Sequence, residues 1–138
     1  MLKRLIAVPF LAATLGLAAC ATQNASKPLS PEREQSAQKP KRQANAAELS
    51  AVTAAMKAGA IAPTSVEIKD MWADDSSANI RNYCAQARGN DAAGRMMPWA
   101  IITGNIVDDG KVVDANVLSV GRDAKALCRQ MHYPTGAK

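Results

Sequence analysis

Hydrophobic residues are spaced in three different ways along this chain. From 5 to 17 nearly every residue is apolar, whereas between 21 and 45 Leu29 is the single large apolar side chain. Beyond residue 45 the hydrophobic residues recur at helical or alternating spacing, which indicates elements with one buried side. The pattern therefore divides the chain into an apolar N-terminal segment, a polar stretch and one small domain over residues 46–138.

Two helices are predicted, one at each end of this domain. Asn45 is a suitable N-cap for a helix over residues 46–58, and Gly59 is a suitable C-terminal stop. The face of this helix that we expect to be buried comprises Leu49, Val52, Ala55, Met56 and Gly59. The second helix is predicted over residues 122–132, before Pro134. Its residues expected in the core are Ala126, Leu127 and Met131.

Four strands are predicted between the helices. They span residues 66–72, 80–87, 99–107 and 111–120. Residues 63–65, Pro-Thr-Ser, are expected to lead into the first strand in an extended conformation. Asp108-Asp109-Gly110 joins the last two strands, because Asp-Gly between β-branched runs is a strong hairpin signal. The order helix, four strands, helix predicts an α+β domain whose antiparallel sheet is covered on one face.

The residues in front of Cys20 have the features of an export signal. Lys3 and Arg4 form a basic head, an apolar run of thirteen residues follows, and Leu17-Ala18-Ala19 precedes the cysteine. The run is too short for a membrane-spanning helix, which needs about 20 residues, and it matches the apolar part of a signal peptide. The segment resembles the signal peptide and lipobox of bacterial lipoproteins.

This resemblance implies that residues 1–19 are removed and that Cys20 becomes the lipidated N-terminus. Because one acyl chain such as palmitate binds a membrane only marginally, lasting attachment requires two or three. Ala21 stands where retention in the inner membrane often has aspartate, so the family analogy implies the cell outer membrane. The alternative is an ordinary signal peptide with a cysteine near the cleavage point by chance.

Residues 20–45 are predicted to be a lipidated N-terminus and a disordered tether. They are rich in Gln, Ser, Lys and Pro and cannot bury enough apolar surface to offset the entropy of ordering. Of the net charge of +5, the signal contributes +2 and the tether +3, while residues 46–138 hold ten basic and ten acidic side chains. We therefore expect no nucleic-acid partner. The tether charges either lie near anionic lipid or cell-wall polymer, or belong to a solvated linker.

Cys84 and Cys128 remain once Cys20 is assigned to the lipid. An exported chain meets an oxidising compartment, where a pair of thiols is normally bridged. Such a bridge would close a loop of about 45 residues and contribute roughly 4 kcal/mol. A redox pair would resemble Cys-x-x-Cys, and a metal site needs more ligands than two cysteines and His132. We expect a structural disulfide bond, no metal and no cofactor.

Candidate catalytic residues are scarce. His132 is the single histidine and lies near the C-terminus. The segment 118–121, Leu-Ser-Val-Gly, lacks the first glycine of a nucleophile elbow. The aspartate pairs 74–75 and 108–109 fit turns. We predict no catalytic residue and expect that the protein is not an enzyme.

Met96, Met97 and Trp99 are the candidate binding residues. They place adaptable thioethers beside an aromatic ring after a glycine-containing loop, and exposed together they would form a patch for a partner. The alternative assigns Met97, Trp99 and Trp72 to the core, because Phe10 is the single phenylalanine and a small domain needs its large side chains inside.

A second resemblance covers about a third of the chain. It rests on the segments Pro63-Thr64-Ser65-Val66, Tyr83-Cys84-Ala85-Gln86 and Asn90-Asp91-Ala92-Ala93-Gly94. These are similar to a small exported proteobacterial domain of unassigned function. Ala85 and Arg95 stand where that domain commonly has glycine, and the resemblance implies no activity.

The function that these observations favour is that of a membrane-anchored envelope lipoprotein. Its domain would face the periplasm and bind or scaffold another envelope protein or a cell-wall polymer without catalysis. One alternative is a surface-exposed lipoprotein that acts outward, as an inhibitor or a host-interaction antigen. A further alternative is a small cell-wall hydrolase.

Overall fold

The computed structural model describes residues 31–75, 77 and 79–134. The predictions for the signal segment, for Cys20 and for the tether up to residue 30 lie outside these residues. Among the helices in the described ranges, none has the length and apolar character needed to cross a membrane.

The described chain contains three α-helices and five strands. The helices are α1 (Pro31–Gln38), α2 (Ala46–Gly59) and α3 (Arg122–Gln130). The strands are β1 (Arg42–Gln43), β2 (Glu67–Ala73), β3 (Ile80–Arg88), β4 (Ala100–Asp108) and β5 (Val113–Val120). A 3₁₀ turn over Pro63–Ser65 precedes β2.

The strands form one antiparallel sheet in the order β1-β2-β3-β4-β5. Helix α2 packs on the face that carries Tyr83 and Ile102, and α3 packs on the opposite face, which carries Cys84 and Ile101. The α+β class with one helix before and one after the main strands is confirmed. The prediction of one covered face is wrong, because neighbouring residues of β3 and β4 are buried on both faces.

Helix α2 begins where the sequence predicts it, at the N-cap Asn45. The Asn45 side chain accepts from the backbone N–H of Glu48, and the Glu48 carboxylate accepts from the backbone N–H of Asn45. This capping box satisfies two N–H groups that a helix start leaves without partners. The prediction that Leu49 and Gly59 are buried is wrong, since both are exposed, and Glu48 occupies the buried side instead.

Two expectations about extended or disordered segments are also wrong. Pro63–Ser65 is a 3₁₀ turn because proline at its first position favours a turn, and the Ser65 N–H donates to the Ala62 carbonyl at 3.0 Å. The predicted disorder does not hold for Pro31–Gln38, which is helical, or for β1, which pairs with Trp72 and Ala73. The sheet therefore has five strands where four were predicted.

The hairpin of β4 and β5 is confirmed, but its turn spans residues 109–112 instead of the predicted 108–110. The Asp109 carboxylate accepts from the N–H groups of Lys111 and Val112, and Gly110 has φ +81°. Within the hairpin, Gly104 lies opposite Val117 at a register shift. A Cβ atom on Gly104 would lie 1.8 Å from the Asn116 carbonyl oxygen, so this close approach requires glycine.

The disulfide bond between Cys84 and Cys128 is confirmed. It ties β3 to α3 with 6.0 Å between the Cα atoms, and both residues are fully buried. Around it pack Ile101, Ala124 and Met131. The expected burial of Ala126 is wrong, because α3 turns Ala124 and Cys128 toward the sheet and leaves Ala126 exposed.

Candidate binding cleft

An open cleft lies at one end of the sheet, beyond the C-terminus of α2. The 14 residues of α2 rise about 21 Å, whereas a nine-residue strand such as β3 extends about 30 Å. Met56 and Gly59, at the C-terminal end of the helix, border a space in which the apolar face of the sheet stays uncovered. The uncovered space has a volume of about 580 Å³.

Apolar side chains line most of this cleft. Its floor includes Ala87, Ile102 and Val120 from three neighbouring strands, and Ile61 borders it just after α2. Ile61 and Val120 are exposed. On the other side stands the segment Met97–Trp99, so an apolar concavity is open to solvent between these walls.

Backbone hydrogen bonds hold the Met97 side of the cleft in place. The Met97 N–H donates to the Gly89 carbonyl at 2.9 Å, and Asn90 forms an antiparallel bridge with Met96. The connecting loop is closed by Asp91, whose carboxylate accepts from the N–H groups of Ala93 and Arg95. These backbone donors hold the pKa of Asp91 below its ordinary value, led by that of Arg95.

Two cationic side chains hold the Trp99 ring. The Lys69 Nζ atom lies 4.1 Å from the ring centroid, and the Arg88 guanidinium carbon lies 4.5 Å from it. Arg88 also pairs with Glu67, with 2.6 Å between Nη2 and Oε2. Each cation is attracted by the electron-rich face of the indole, so these contacts fix the position of the Trp99 ring in the cleft wall.

The three candidate binding residues therefore differ in their position relative to the cleft. Met97 and Trp99 line the cleft together with Pro98, while Met96 is exposed but does not line it. The alternative that placed the large side chains in the core is wrong for Met97, which is exposed. Trp99 is half-buried, and Trp72 packs partly buried against the cluster around the disulfide bond.

An ionic cluster occupies the opposite end of the sheet. The Arg42 guanidinium donates to both Glu48 carboxylate oxygens at 2.8 Å, and Arg81 lies 3.5 Å from the same carboxylate. Arg42 and Arg81 also both pair with Asp75 at 3.2 Å. The hydrogen bond from Arg42 is the main cause that holds the pKa of the buried Glu48 below its ordinary value.

Lys41 adds a second buried contact to this end. Its Nζ atom lies 3.3 Å from the Asp74 carboxylate, and the Tyr133 hydroxyl donates to the same carboxylate at 2.7 Å. Of the tether charges, Lys41 and Arg42 therefore do not belong to a solvated linker, because both pair with carboxylates of the domain. Sequence reasoning missed these residues because their partners Asp74 and Asp75 lie 33 positions away.

The described residues bring no metal-binding cluster together in the cleft, whose charged or amide side chains are Arg88, Asn90 and Asp91. Outside residues 1–30, 76, 78 and 135–138, no cluster of three or more His, Cys, Asp and Glu side chains is placed to hold a metal ion. His132 is exposed in the turn after α3. The Asp108 and Asp109 carboxylates accept backbone N–H groups of their own turn, so the hairpin explains this pair.

The chain was compared with protein-family models, with proteins of curated function and with solved structures. None of the three comparisons returned a match.

Proposed function

We propose that this protein is a lipid-anchored envelope lipoprotein whose domain binds another envelope protein through the cleft. The observation that carries the proposal is the combination of a lipobox, Leu17-Ala18-Ala19-Cys20, with a disulfide-bonded domain that has an open apolar concavity. The lipid would hold the domain at the outer membrane, facing the periplasm. The domain would act by binding rather than by catalysis.

The disulfide bond supports export. Structural disulfides persist in oxidising compartments such as the periplasm and are rare in the cytosol. The bridge between Cys84 and Cys128 is fully buried, so it serves the packing of α3 on the sheet. The N-terminal lipobox and the disulfide bond of the C-terminal domain thus independently favour a location in the cell envelope.

The cleft supports a protein partner over a cell-wall polymer. Its exposed lining is dominated by Ile61, Met97 and Val120, which would lose water when apolar side chains of a partner pack against them. Burial of apolar area contributes about 25 cal/mol per Å². The lining has few polar side chains, and two of them already have partners: Arg88 pairs with Glu67, and Asp91 accepts N–H groups of its own loop. This favours an apolar protein surface over a polar glycan strand.

The lipid anchor is tested by Cys20→Ser in the full chain. We expect the variant to lose incorporation of labelled palmitate and to remain uncleaved, while Cys84→Ser keeps the label. Palmitate incorporation equal to that of the wild type would contradict lipidation at Cys20. Protease treatment of intact cells then separates a domain facing the periplasm, which is protected, from a surface-exposed one.

The binding site is tested with a photo-crosslinking residue placed at Ile61. The matched control is the same residue at Leu118, which is also an exposed apolar position but does not line the cleft. We expect one protein to be crosslinked in living cells from position 61 and not from position 118. Equal crosslinking from both positions, or none from position 61, would count against the cleft as the binding site.

A further inference from the structure

The methionines of the described chain differ sharply in exposure. Met96 and Met97 are 45% and 48% exposed, whereas Met71 and Met131 are 7% and 1% exposed. Met56 lies between these extremes and is half-buried. The two exposed thioethers are adjacent in sequence, but Met97 alone of the two lines the cleft.

Exposure decides which thioether a dissolved oxidant can reach. A peroxide must approach the sulfur atom directly, so a side chain enclosed by the core is protected until the domain opens. Oxidation turns a flexible apolar side chain into a polar sulfoxide and disrupts methionine-containing interfaces. At Met97 that change takes place on the wall of a mostly apolar concavity.

We propose that Met97 is an oxidation site at which peroxides convert the apolar cleft into a polar one. The Met97 sulfur atom donates an electron pair to one oxygen of the peroxide, the sulfur–oxygen bond forms and the oxygen–oxygen bond breaks. With hydrogen peroxide, the second oxygen takes up the remaining protons and leaves as water. Sulfur is oxidised and the peroxide is reduced.

The consequence for binding rests on the proposed function. Packing an apolar partner against a sulfoxide would leave its S=O oxygen without a hydrogen-bond donor, which is costly in a site removed from water. Met96 sulfoxide would have no such effect, because Met96 does not line the cleft. Reduction of the sulfoxide by a dithiol, catalysed by methionine sulfoxide reductases, yields thioether, disulfide and water and restores the cleft.

Selectivity is measured on the full-length folded protein exposed to graded hydrogen peroxide, followed by peptide mapping with mass spectrometry. We expect sulfoxide to form at Met96 and Met97 at least about tenfold faster than at Met71 and Met131. The control is the same protein unfolded in urea, in which all four should react at similar rates. Equal rates in the folded protein would overturn the proposal.

The effect on the cleft is measured with benzene as an apolar probe, read from the ¹³C-methyl signals of Ile61 and Val120. We expect benzene to shift these signals in the reduced protein and to bind about tenfold more weakly after oxidation or in Met97→Gln. Met97→Leu should bind benzene equally well before and after peroxide treatment. Met96→Gln should bind benzene as tightly as the reduced wild type.

Two negative results have different meanings. If benzene shifts neither signal in the reduced protein, the cleft does not accept apolar groups, and both the binding site and its control by oxidation are overturned. If benzene binds equally before and after oxidation, or if Met96→Gln weakens it as much as Met97→Gln, the binding site stands and the oxidation proposal falls.

Discussion

Breaking the bridge between Cys84 and Cys128 is the perturbation whose magnitude follows most directly from the structure. The two residues are 44 positions apart, and the chain-entropy model for such a loop gives about 13 cal/mol/K, which is about 4 kcal/mol at room temperature. Small domains have net stabilities of about 5–15 kcal/mol. Reduction should therefore remove a large part of the free energy of unfolding.

The assay is urea unfolding of the oxidised and the reduced wild type, followed by circular dichroism. Reduction changes no residue, so the difference reports the cross-link without a cavity or a new polar group. The variant Cys84→Ala with Cys128→Ala should match the reduced protein to within the packing loss of two buried sulfur atoms. Because the reduced chain exposes more surface on unfolding, its dependence of free energy on urea concentration should also be steeper.

A loss below about 1 kcal/mol on reduction would refute the reasoning, because the loop-closure term would then be absent or cancelled. Titration of two free thiols in the unfolded but unreduced protein would refute its premise. Stability that falls in the Cys84→Ala variant but not in the Cys128→Ala variant would show that packing at one site, rather than the cross-link, is responsible.

The remaining predictions concern packing in the hairpin and the ionic cluster. Gly104→Ala should destabilise the domain by at least about 3 kcal/mol in thermal unfolding, because its Cβ would overlap the Asn116 carbonyl. The control Gly59→Ala places its Cβ in open space and should be neutral or slightly stabilising. Equal stability of the two variants would contradict the close approach. Glu48→Gln should cost about 1–2 kcal/mol at neutral pH, because the amide loses the charge-assisted hydrogen bonds that the buried carboxylate accepts from the partly exposed Arg42. Because folding lowers the pKa of Glu48, its contribution is fully present above the ordinary pKa of 4.5 and is lost as the pH falls through the lowered value. The variant and the wild type should therefore converge in acid, and a difference independent of pH would exclude the ion pair as its cause.

The parts of the fold that the sequence predicted are those governed by neighbouring residues. A capping residue such as Asn45 acts on N–H groups three positions away, and the turn at Asp109 and Gly110 is closed by hydrogen bonds within it. The predicted bounds of β3 and β4, residues 80–87 and 99–107, likewise lie within one residue of the observed ends. The pairing of the two internal cysteines followed from their number and from the expected oxidising compartment.

The candidate site was predicted in part. The segment Met96–Trp99 was identified because thioethers and an indole follow a glycine-containing loop, and two of its three candidate residues, Met97 and Trp99, line the cleft. The rest of the lining, Ile61 and Val120 included, carried no signal. Each is an ordinary apolar residue in its own segment, and the cleft forms only when α2, three strands and the segment Met97–Trp99 pack around one space.

The sequence by itself determined the class of the domain, its main helices and strands, and the residues of its disulfide bond, because these depend on local spacing and simple chemistry. The tertiary structure alone decided that β1 joins the sheet, that Glu48 is buried in place of Leu49, and that Met97 is exposed. The burial of Glu48 depends on its pairing with Arg42 and Arg81, and Met97 is held at the cleft by the hydrogen bond from its N–H to the Gly89 carbonyl. Contacts between residues distant in sequence leave no periodicity in either partner, so they become apparent when the elements pack together.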